Sequence, residues 1–218
     1  MNLVFDLDGT LTDPELGISR CIVYALERLG FPAPERTQLR RFIGPPLRQV
    51  FRELLATSDP ALIERAVAVY RERFGEVGLY ENELYPGTTQ GIDHLVGSGH
   101  RLFVATAKAE VYARRIIEHF QLGHHFVEVY GAALSGAGSH KSELLARLVV
   151  EQGIEPAESV MIGDRGSDVS GARVNGLRTV GALWGYGTAE ELADADLRVG
   201  TWGELLREVG GMNARRFL

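Results

Sequence analysis

Residues 2–10 of the chain read Asn-Leu-Val-Phe-Asp-Leu-Asp-Gly-Thr, and this stretch decides the fold. Its first half is short and apolar without alternating polar positions, which is typical of a strand buried on both faces of a parallel sheet. Two carboxylates, Asp6 and Asp8, follow where that strand ends. Because parallel α/β sheets bind ligands beyond the carboxyl ends of their strands, the stretch predicts both the fold class and the position of the site.

Strands and helices alternate from about residue 87 onward. Further strands are predicted near residues 100–106, 126–130, 159–162, 179–183 and 197–199. Helices are predicted near residues 110–120, 142–152, 168–174 and 203–209. Parallel strands need crossover connections, so these repeated units predict an α/β fold with a doubly wound, Rossmann-like parallel sheet.

Residues 14–85 interrupt this alternation. We predict no strand in this block, and four helices near residues 17–29, 36–42, 47–55 and 60–74. Asp59 is a suitable N-cap for the last helix because Pro60 occupies its first position. We therefore predict a catalytic core of residues 1–13 and 86–218, with residues 14–85 inserted as an α-helical-bundle cap domain.

The composition limits the possible functions. The chain has 218 residues and a formal net charge of −6, which disfavours a nucleic acid polymer as partner. No apolar run approaches the roughly 18 residues that a membrane span needs, and no signal-peptide pattern opens the chain. We therefore expect a cytoplasmic protein with no membrane partner. Cys21, the one cysteine, excludes an internal disulfide and is expected to be a packed side chain of the cap.

The ends of the predicted strands collect the residues that carry chemistry. They are Asp6 and Asp8 after the first strand, Thr106, Ala107 and Lys108 after the second, Lys141 beyond the third, and Asp164 and Asp168 after the fourth. Lys108 and Lys141 are the only lysines among the 23 basic residues. Carboxylate oxygens without nearby His or Cys ligands indicate a hard ion, most simply Mg²⁺. An aspartate can also attack phosphorus, so the spacing predicts a Mg²⁺-dependent phosphoryl-transfer site.

Four ordered motifs carry a resemblance to a known family. Asp6-Leu-Asp-Gly-Thr10, Thr106, Lys141 and Gly163-Asp-Arg-Gly-Ser-Asp168 resemble the motifs of the haloacid dehalogenase superfamily of phosphatases. The similarity covers nearly the whole chain and is greatest to the phosphoglycolate phosphatase-like branch. Residues 6–18, 43–47 and 184–187 also resemble members described as 5′-nucleotidases.

The resemblance implies a role for each motif residue. Asp6 is implied as the nucleophile that becomes an aspartyl phosphate, and Asp8 as the acid that protonates the leaving oxygen and then activates water. Thr106 is implied as a phosphate ligand, and Lys141 as the cation that neutralises the transferring group. The implied Mg²⁺ ligands are Asp6, the backbone carbonyl of Asp8, Asp164 and, through water or by orienting Lys141, Asp168.

Other residues are weaker candidates for the site. The second motif continues with Ala107, where many relatives place Asn or Ser, and its backbone N–H is expected to serve the phosphate. Lys108 and Arg48 are candidates for binding phosphate and an anionic leaving group, respectively. Arg165 is expected either to reach the substrate or to point to solvent. The pair His124-His125 is expected to be a loop pair without a metal, and His140 adjoins the pocket through Lys141.

The predicted function is hydrolysis of a small phosphorylated metabolite, with phosphoglycolate as the first substrate and nucleoside 5′-monophosphates as the alternative. A phosphomutase on the same scaffold would keep every motif and stays open. A dehalogenase would have no use for Asp8 or a metal. A phospho-aspartate switch that is not an enzyme would lack the large helical insertion and the second aspartate. The sequence does not define the oligomeric state.

Overall fold

The structure, a computed structural model, describes residues 1–211 of the chain. Its strands are β1 Asn2–Phe5, β2 Thr12–Asp13, β3 Glu83–Leu84, β4 Arg101–Ala109, β5 Phe126–Ala132, β6 Ser159–Gly163, β7 Arg178–Ala182 and β8 Leu197–Val199. Its helices are α1 Glu15–Arg28, α2 Arg36–Leu39, α3 Leu47–Leu54, α4 Pro60–Glu76, α5 Thr88–Gly97, α6 Glu110–His119, α7 Lys141–Gln152, α8 Gly166–Val174 and α9 Trp202–Gly211. Within these residues no helix combines the length and apolarity needed to cross a membrane. Residues 212–218, at the end of the predicted core domain, lie outside the described residues.

A fully parallel sheet of six strands, in the order β5-β4-β1-β6-β7-β8, runs through the described residues. Phe5 of β1 lies opposite Val104 of β4 on one side and Ile162 of β6 on the other. The chain first moves outward from β1 to β4 and β5, and then crosses back to β6. The strand order therefore reverses at β1, which confirms the predicted doubly wound α/β fold.

The side chains of β1 enter two apolar cores on opposite faces of the sheet. Leu3 and Phe5 belong to the core that contains Trp202, and the ring centroids of Phe5 and Trp202 are 5.8 Å apart. Val4 belongs to the other core, together with residues of α7 and α8 such as Leu145. Both faces of the strand are buried, so its sequence has no polar alternation, and the chain becomes polar only where the strand ends.

The helices α1 to α4 lie between β2 and β3, within the block of residues 14–85 that the sequence predicts as a helical insertion. Asp59 caps α4, because its Oδ1 accepts a hydrogen bond of 3.0 Å from the backbone N–H of Ala61. Pro60 occupies the first helical position, as predicted. The buried face of α4 packs against α1 and α3.

The prediction of no strand in residues 14–85 is wrong at β3. This strand pairs antiparallel with β2, so that Thr12 lies opposite Leu84 and Asp13 opposite Glu83. A ladder of two residues is too short to show an alternating pattern, which is why the sequence did not reveal it. The ladder joins the two chain segments through which the helical insertion leaves and re-enters the sheet region.

Three other elements differ from the prediction. Helix α5 was not predicted; its Gly91 lowers helix propensity and is needed because a Cβ there would lie 2.3 Å from the ring of Trp202. The helix predicted near 36–42 is α2 followed by a 3₁₀ turn, Arg40–Phe42. Strand β4 continues to Ala109, past an irregular register after Thr106, so Lys108 lies within the strand.

Candidate active site

Three neighbouring strands end at one edge of the sheet and deliver the predicted site residues. Asp6 directly follows β1, Asp164 directly follows β6, and Thr106 lies near the end of β4. The backbone N–H of Asp6 donates to the carbonyl of Ile162 at 2.9 Å, which extends the parallel ladder one residue beyond β1. The buried polar residues at this edge are Asp6, Asp8, Thr10, Thr106, Lys141, Asp164 and Asp168. The structure therefore brings the predicted catalytic and metal residues to one place.

Lys141 holds two of the carboxylates together. It is the first residue of α7, and its Nζ lies 3.1 Å from Oδ1 of Asp6 and 2.8 Å from Oδ1 of Asp168. Nζ also donates a hydrogen bond of 2.7 Å to the carbonyl of Ala105. Burial alone would lower the pKa of this ammonium, but the charges of Asp168 and Asp6 outweigh burial and raise it. Lys141 is therefore a fixed, permanently charged cation.

Asp164 lies beside this cluster and is held by neutral donors. The hydroxyl of Thr10 donates to its Oδ1 at 3.2 Å, and the backbone N–H of Tyr186 donates to its Oδ2 at 2.8 Å. Burial raises the pKa of Asp164 to about 8, and the negative charges of Asp168 and Asp6 add to this effect. A positive charge at the cluster would reverse the shift and keep Asp164 ionised.

Asp6, Asp164 and Asp168 form a candidate metal site, because ligand oxygens of all three lie within 4.8 Å of one another. Three buried carboxylates lie around the single ammonium of Lys141 here, so the ionised carboxylates carry more charge than Lys141 neutralises, and either bound protons or a further cation must compensate. Burial also raises the pKa of Asp168. Oxygen-only donors with this excess of negative charge fit a hard divalent cation such as Mg²⁺. The side chain of Asp8, whose predicted metal ligand is its backbone carbonyl, is not part of this group.

Two glycines leave the space in which Asp164 lies. A Cβ at Gly9 would come within 2.2 Å of Oδ2 of Asp164, and a Cβ at Gly185 would come within 2.4 Å of its Cβ. Gly9 also has a φ of +88°, in the left-handed region that favours glycine. This packing explains the glycine after Asp8, and it places the segment 184–187 behind the candidate metal site.

Asp8 faces Lys108 rather than the carboxylate cluster. Nζ of Lys108 lies 2.9 Å from Oδ2 of Asp8, and it also lies 4.4 Å from the ring centroid of Phe74 in α4. Oδ1 of Asp8 is buried and has no hydrogen-bond partner within residues 1–211. Burial raises the pKa of Asp8, although the ammonium of Lys108 opposes the shift. An acid with a raised pKa and one unengaged oxygen can give a proton to a bound leaving group.

Thr106, Ala107 and Lys108 lie side by side at the end of β4. The hydroxyl of Thr106 is buried at the site and accepts a hydrogen bond of 3.3 Å from the backbone N–H of Lys108. Ala107 and Lys108 both line the cavity in front of Asp8. The structure thus brings all three predicted phosphate-binding residues of this segment to the site.

A cavity of about 120 Å³ lies between the helical insertion and the ends of the strands. Its apolar and aromatic lining comes mainly from the insertion and from α6, and it includes Ile18, Ile22, Phe42, Val50, Tyr70, Phe74 and Tyr112. Asp8 and Lys108 form its floor on the sheet side.

Two arginines also line the cavity. Arg48, predicted as a binding residue, lies there, but its Nη2 contacts Oε2 of Glu64 at 2.8 Å. Arg71 was not predicted; its Nη2 donates to the carbonyl of Leu134 at 2.7 Å. No motif marks Arg71, and the only available signal was its position beside the apolar face of α4.

Arg165 does not point to solvent, since its side chain is only 14% exposed. It lines a second cavity together with Ala107 and Lys141, so contact with a substrate stays a prediction. Its guanidinium donates to the carbonyls of Tyr186, at 3.1 Å, and Arg41, at 3.2 Å. Both acceptors are backbone atoms, so no residue type in the sequence marks them.

The remaining candidates lie away from the carboxylate cluster or at its margin. Cys21 is buried in the insertion, as predicted, and its thiol accepts from Arg73 at 3.2 Å. His125 contacts Asp93 through Nε2 at 2.6 Å, and within residues 1–211 no candidate metal group contains a histidine. His140 precedes α7 at the margin of the site.

Comparisons with known proteins agree with this geometry. Residues 3–182 match the family described as haloacid dehalogenase-like hydrolase. A 5′-nucleotidase of Pseudomonas aeruginosa is 46% identical over 191 residues, which are 88% of this chain and 86% of that protein. Tyrosine-protein kinase PtkA of Mycobacterium tuberculosis is 38% identical over 86% of this chain and 64% of its own length. Relatives named phosphoglycolate phosphatase are 26% to 29% identical over 199 to 208 residues.

A solved structure extends the similarity to three dimensions. The crystal structure of a "predicted phosphatase" from Clostridium acetobutylicum superimposes with a TM-score of 0.92 at 34% identity, and the match covers 97% of this chain and 98% of that chain. The family match spans most of the sheet and the whole helical insertion. The chain therefore belongs to the haloacid dehalogenase-like hydrolase family and is an enzyme of that family's phosphatase type.

Proposed function

We propose that this phosphatase is a Mg²⁺-dependent phosphomonoesterase that hydrolyses nucleoside 5′-monophosphates through an aspartyl-phosphate intermediate. The observation that carries the chemistry is the contact of Lys141 with both Asp6 and Asp168, beside Asp164. It supports a nucleophile held in position beside a fixed cation, where a phosphate group would bind. Such positioning and charge neutralisation are how phosphoryl transfer is catalysed.

The reaction divides between two aspartates. A carboxylate oxygen of Asp6 attacks phosphorus, so that an Asp6–phosphorus bond forms as the ester bond to the leaving oxygen breaks. Asp8 gives its proton to that oxygen, and its raised pKa supports this step. Asp8 then takes a proton from the water that attacks the aspartyl phosphate, which releases phosphate and restores Asp6.

Three residues bind the transferring group. Lys141 neutralises the negative charge that develops on the phosphoryl oxygens, and the hydroxyl of Thr106 and the backbone N–H of Ala107 donate to those oxygens. Asp6, Asp164 and the backbone carbonyl of Asp8 would hold Mg²⁺, with Asp168 orienting Lys141. When bound, the metal supplies additional positive charge at the phosphate.

The cavity in front of Asp8 supports a nucleoside as the leaving group. Phe42, Phe74 and Tyr112 offer aromatic surface, which suits a flat base better than a two-carbon acid. The similarity to a 5′-nucleotidase at 46% identity supports the same substrate class. 2-Phosphoglycolate is the second candidate, because Arg48 and Arg71 in the cavity wall could bind a carboxylate.

We further propose that residues 14–85 act as a cap on a core formed by residues 1–13 and 86–218. The cavity lies between these two parts, so closure of the cap over the substrate would exclude water from the site. Side chains of the cap would then choose the leaving group, while the sheet edge performs the chemistry.

Phosphate release from a defined panel tests the proposal. The panel contains nucleoside 5′-monophosphates, 2-phosphoglycolate, sugar phosphates and p-nitrophenyl phosphate, each with and without Mg²⁺. We expect metal-dependent release with the highest kcat/KM for a nucleotide. The highest value for 2-phosphoglycolate would favour the second candidate. Transfer from a bisphosphate to a monophosphate acceptor with little free phosphate would identify a phosphomutase, and an aspartyl phosphate stable for minutes would identify a switch.

Asp6→Asn and Asp93→Asn form a matched pair for this panel. Asp6→Asn removes the nucleophile, and we expect it to reduce turnover by at least about 1,000-fold. Asp93 is an exposed aspartate that contacts His125 away from the site, so its variant should retain turnover. Appreciable metal-dependent turnover by Asp6→Asn would contradict the assigned nucleophile.

A further inference from the structure

Arg165 directly follows Asp164, but the proposed chemistry does not use it. Its side chain is only 14% exposed, and its guanidinium reaches into two other segments of the chain. Nη1 donates to the carbonyl of Tyr186 at 3.1 Å and lies 3.4 Å from Oε2 of Glu191. Nη2 donates to the carbonyl of Arg41 at 3.2 Å. One guanidinium thus connects the sheet edge with the helical insertion.

The two backbone acceptors belong to segments that build the site. The N–H of Tyr186 holds Asp164, so fixing the Tyr186 carbonyl also fixes a donor to the candidate metal site. Arg41 lies three residues before Gly44, and Gly44, Pro45 and Pro46 line the cavity in front of Asp8. Arg165 therefore contacts both the wall of the cavity and the support of the carboxylate cluster.

The loop of the insertion is shaped to lie against the Arg165 side chain. Gly44 has a φ of +103°, and a Cβ there would lie 3.3 Å from Cγ and from Nε of Arg165. A side chain at position 44 would therefore crowd the arginine stem, whereas glycine allows the backbone to approach it. This contact with the insertion combines close packing with one hydrogen bond from a charged donor, which the carbonyl of Arg41 accepts.

We propose that Arg165 is a positioning residue that fastens residues 41–46 of the helical insertion to the catalytic edge, and so couples the cavity wall to the site of phosphoryl transfer. The acceptor in the insertion and the acceptor at the sheet edge are both neutral backbone carbonyls. If the insertion separates from the sheet edge, no buried carboxylate therefore loses its partner. Glu191 can keep the guanidinium paired in that state. The contact is therefore suited to repeated opening and closing during turnover.

An arginine is needed because the acceptors lie on different sides of the guanidinium. Its planar fork donates through Nη1 and Nη2 in separate directions, whereas a lysine ammonium at the end of one stem would reach only one of the two segments. Arg165→Lys should accordingly keep only part of the function, and Arg165→Gln should lose the connection.

The first test is hydrogen exchange of the full-length protein, followed by mass spectrometry. In Arg165→Gln, amides of residues 36–50 and 183–191 should exchange about tenfold faster than in the wild type, because a charged hydrogen bond to each segment is lost. Amides of α9 should not change. Arg173→Gln is the control. Arg173 lies in α8, the helix that directly follows Arg165, but its side chain is 59% exposed and contacts Asp194.

The second test is kinetic, and it rests on the proposed function. For a nucleoside 5′-monophosphate, Arg165→Gln should raise KM about tenfold with kcat within about threefold of wild type, because the cavity wall is no longer held around the nucleoside. For acetyl phosphate, whose leaving group is too small to fill the cavity, KM should change much less. Arg165→Lys should give intermediate values.

The outcomes separate the two proposals. Unchanged exchange at residues 36–50 in Arg165→Gln would overturn the positioning role, as would a uniform increase over the whole chain, which would mean general loss of stability. Equal effects on both substrates would overturn the coupling to the cavity wall. If no nucleotide is hydrolysed, the proposed substrate is wrong, while faster exchange confined to the two segments would still support the role of Arg165.

Discussion

Nζ of Lys108 lies 2.9 Å from Oδ2 of Asp8, and this ion pair joins the proposed general acid to a residue that also contacts the helical insertion. The same ammonium lies 4.4 Å from the ring centroid of Phe74 in α4. The ammonium of Lys108 holds Oδ2 of Asp8 in place. The other carboxylate oxygen, Oδ1, has no hydrogen-bond partner within the described chain. The proposed general acid is therefore held by a side chain that also contacts the insertion.

Removing this ammonium should change the pH dependence of the reaction. Lys108 opposes the effect of burial on Asp8, so Lys108→Met should raise the pKa of Asp8 further. Asp8 would then stay protonated to higher pH. The alkaline limb of the kcat/KM profile for an alkyl phosphomonoester should therefore shift to higher pH. Activity at the optimum should fall about tenfold, because the acid is no longer oriented.

The charge-preserving variant is the control for this prediction. Lys108→Arg keeps a cation beside Asp8, so its alkaline limb should stay near that of the wild type. A limb that moves to lower pH in Lys108→Met would show that the ammonium does not act on Asp8 as the structure indicates.

Lys141 should contribute strongly to stability as well as to turnover. Lys141→Met leaves the buried carboxylates of Asp6 and Asp168 without their shared cation. Removing one partner from a buried ion pair costs about 3 to 5 kcal/mol, and kcat should fall at least about 1,000-fold. The free energy of unfolding in urea, measured at pH 8 without metal for the wild type and Lys141→Met, checks the predicted loss of stability.

The matched control on the same helix is Arg147→Met. Arg147 is 41% exposed and contacts Glu110 and Glu151, so the free energy of unfolding should change by only about 0.5 kcal/mol. A Lys141→Met protein as stable as this control would contradict the tight pairing of Lys141 with the two aspartates.

The sequence predicted the sheet edge well because its signals are local. An unbroken apolar strand followed by Asp6 and Asp8 fixes both the strand and the place where it ends, and the same holds for Asp164 after β6. The contacts that the sequence did not predict are made to backbone atoms or between distant segments. Arg165 binds two carbonyls, and Lys108 reaches Phe74 across the cavity. No pattern of residue types records such partners.

Gly9 offers a test in which backbone strain and site damage can be separated. Gly9→Ala introduces a Cβ that would lie 2.2 Å from Oδ2 of Asp164, at a residue with a φ of +88°. Gly99 has a similar φ of +81°, but a Cβ there would meet no atom within 4 Å. Both variants should lose about 1 kcal/mol of stability from the strained backbone.

Only Gly9→Ala should damage the site. Asp164 must move away from the new methyl group, so we expect the apparent affinity for Mg²⁺ to fall about tenfold and kcat/KM about 100-fold. Mg²⁺ titrations of phosphate release for the two variants provide the measurement. Equal activity of Gly9→Ala and Gly99→Ala would show that Asp164 has room to adjust without functional loss.

The raised pKa of Asp164 makes the stability of the metal-free protein depend on pH. With a pKa of about 8 in the folded chain against an ordinary value near 3.8, the folded state binds more protons between these values than the unfolded state. Stability of the metal-free protein should therefore decrease as pH rises from 4 toward 8, because ionising a buried carboxylate beside Asp168 and Asp6 opposes folding. A divalent cation would remove this penalty.

Thermal unfolding with and without Mg²⁺ tests this linkage. Protons compete with the metal for Asp164, so one fixed Mg²⁺ concentration, chosen to fill the site at pH 8, should raise Tm little at pH 5.5 and by about 5 °C at pH 8. Asp164→Asn carries no charge to desolvate, so without metal it should be more stable than the wild type at pH 8 and nearly equal at pH 5.5. It should also lose most of the Mg²⁺ effect. A wild-type Tm that responds equally to Mg²⁺ at both pH values would mean that the metal binds away from the carboxylate cluster.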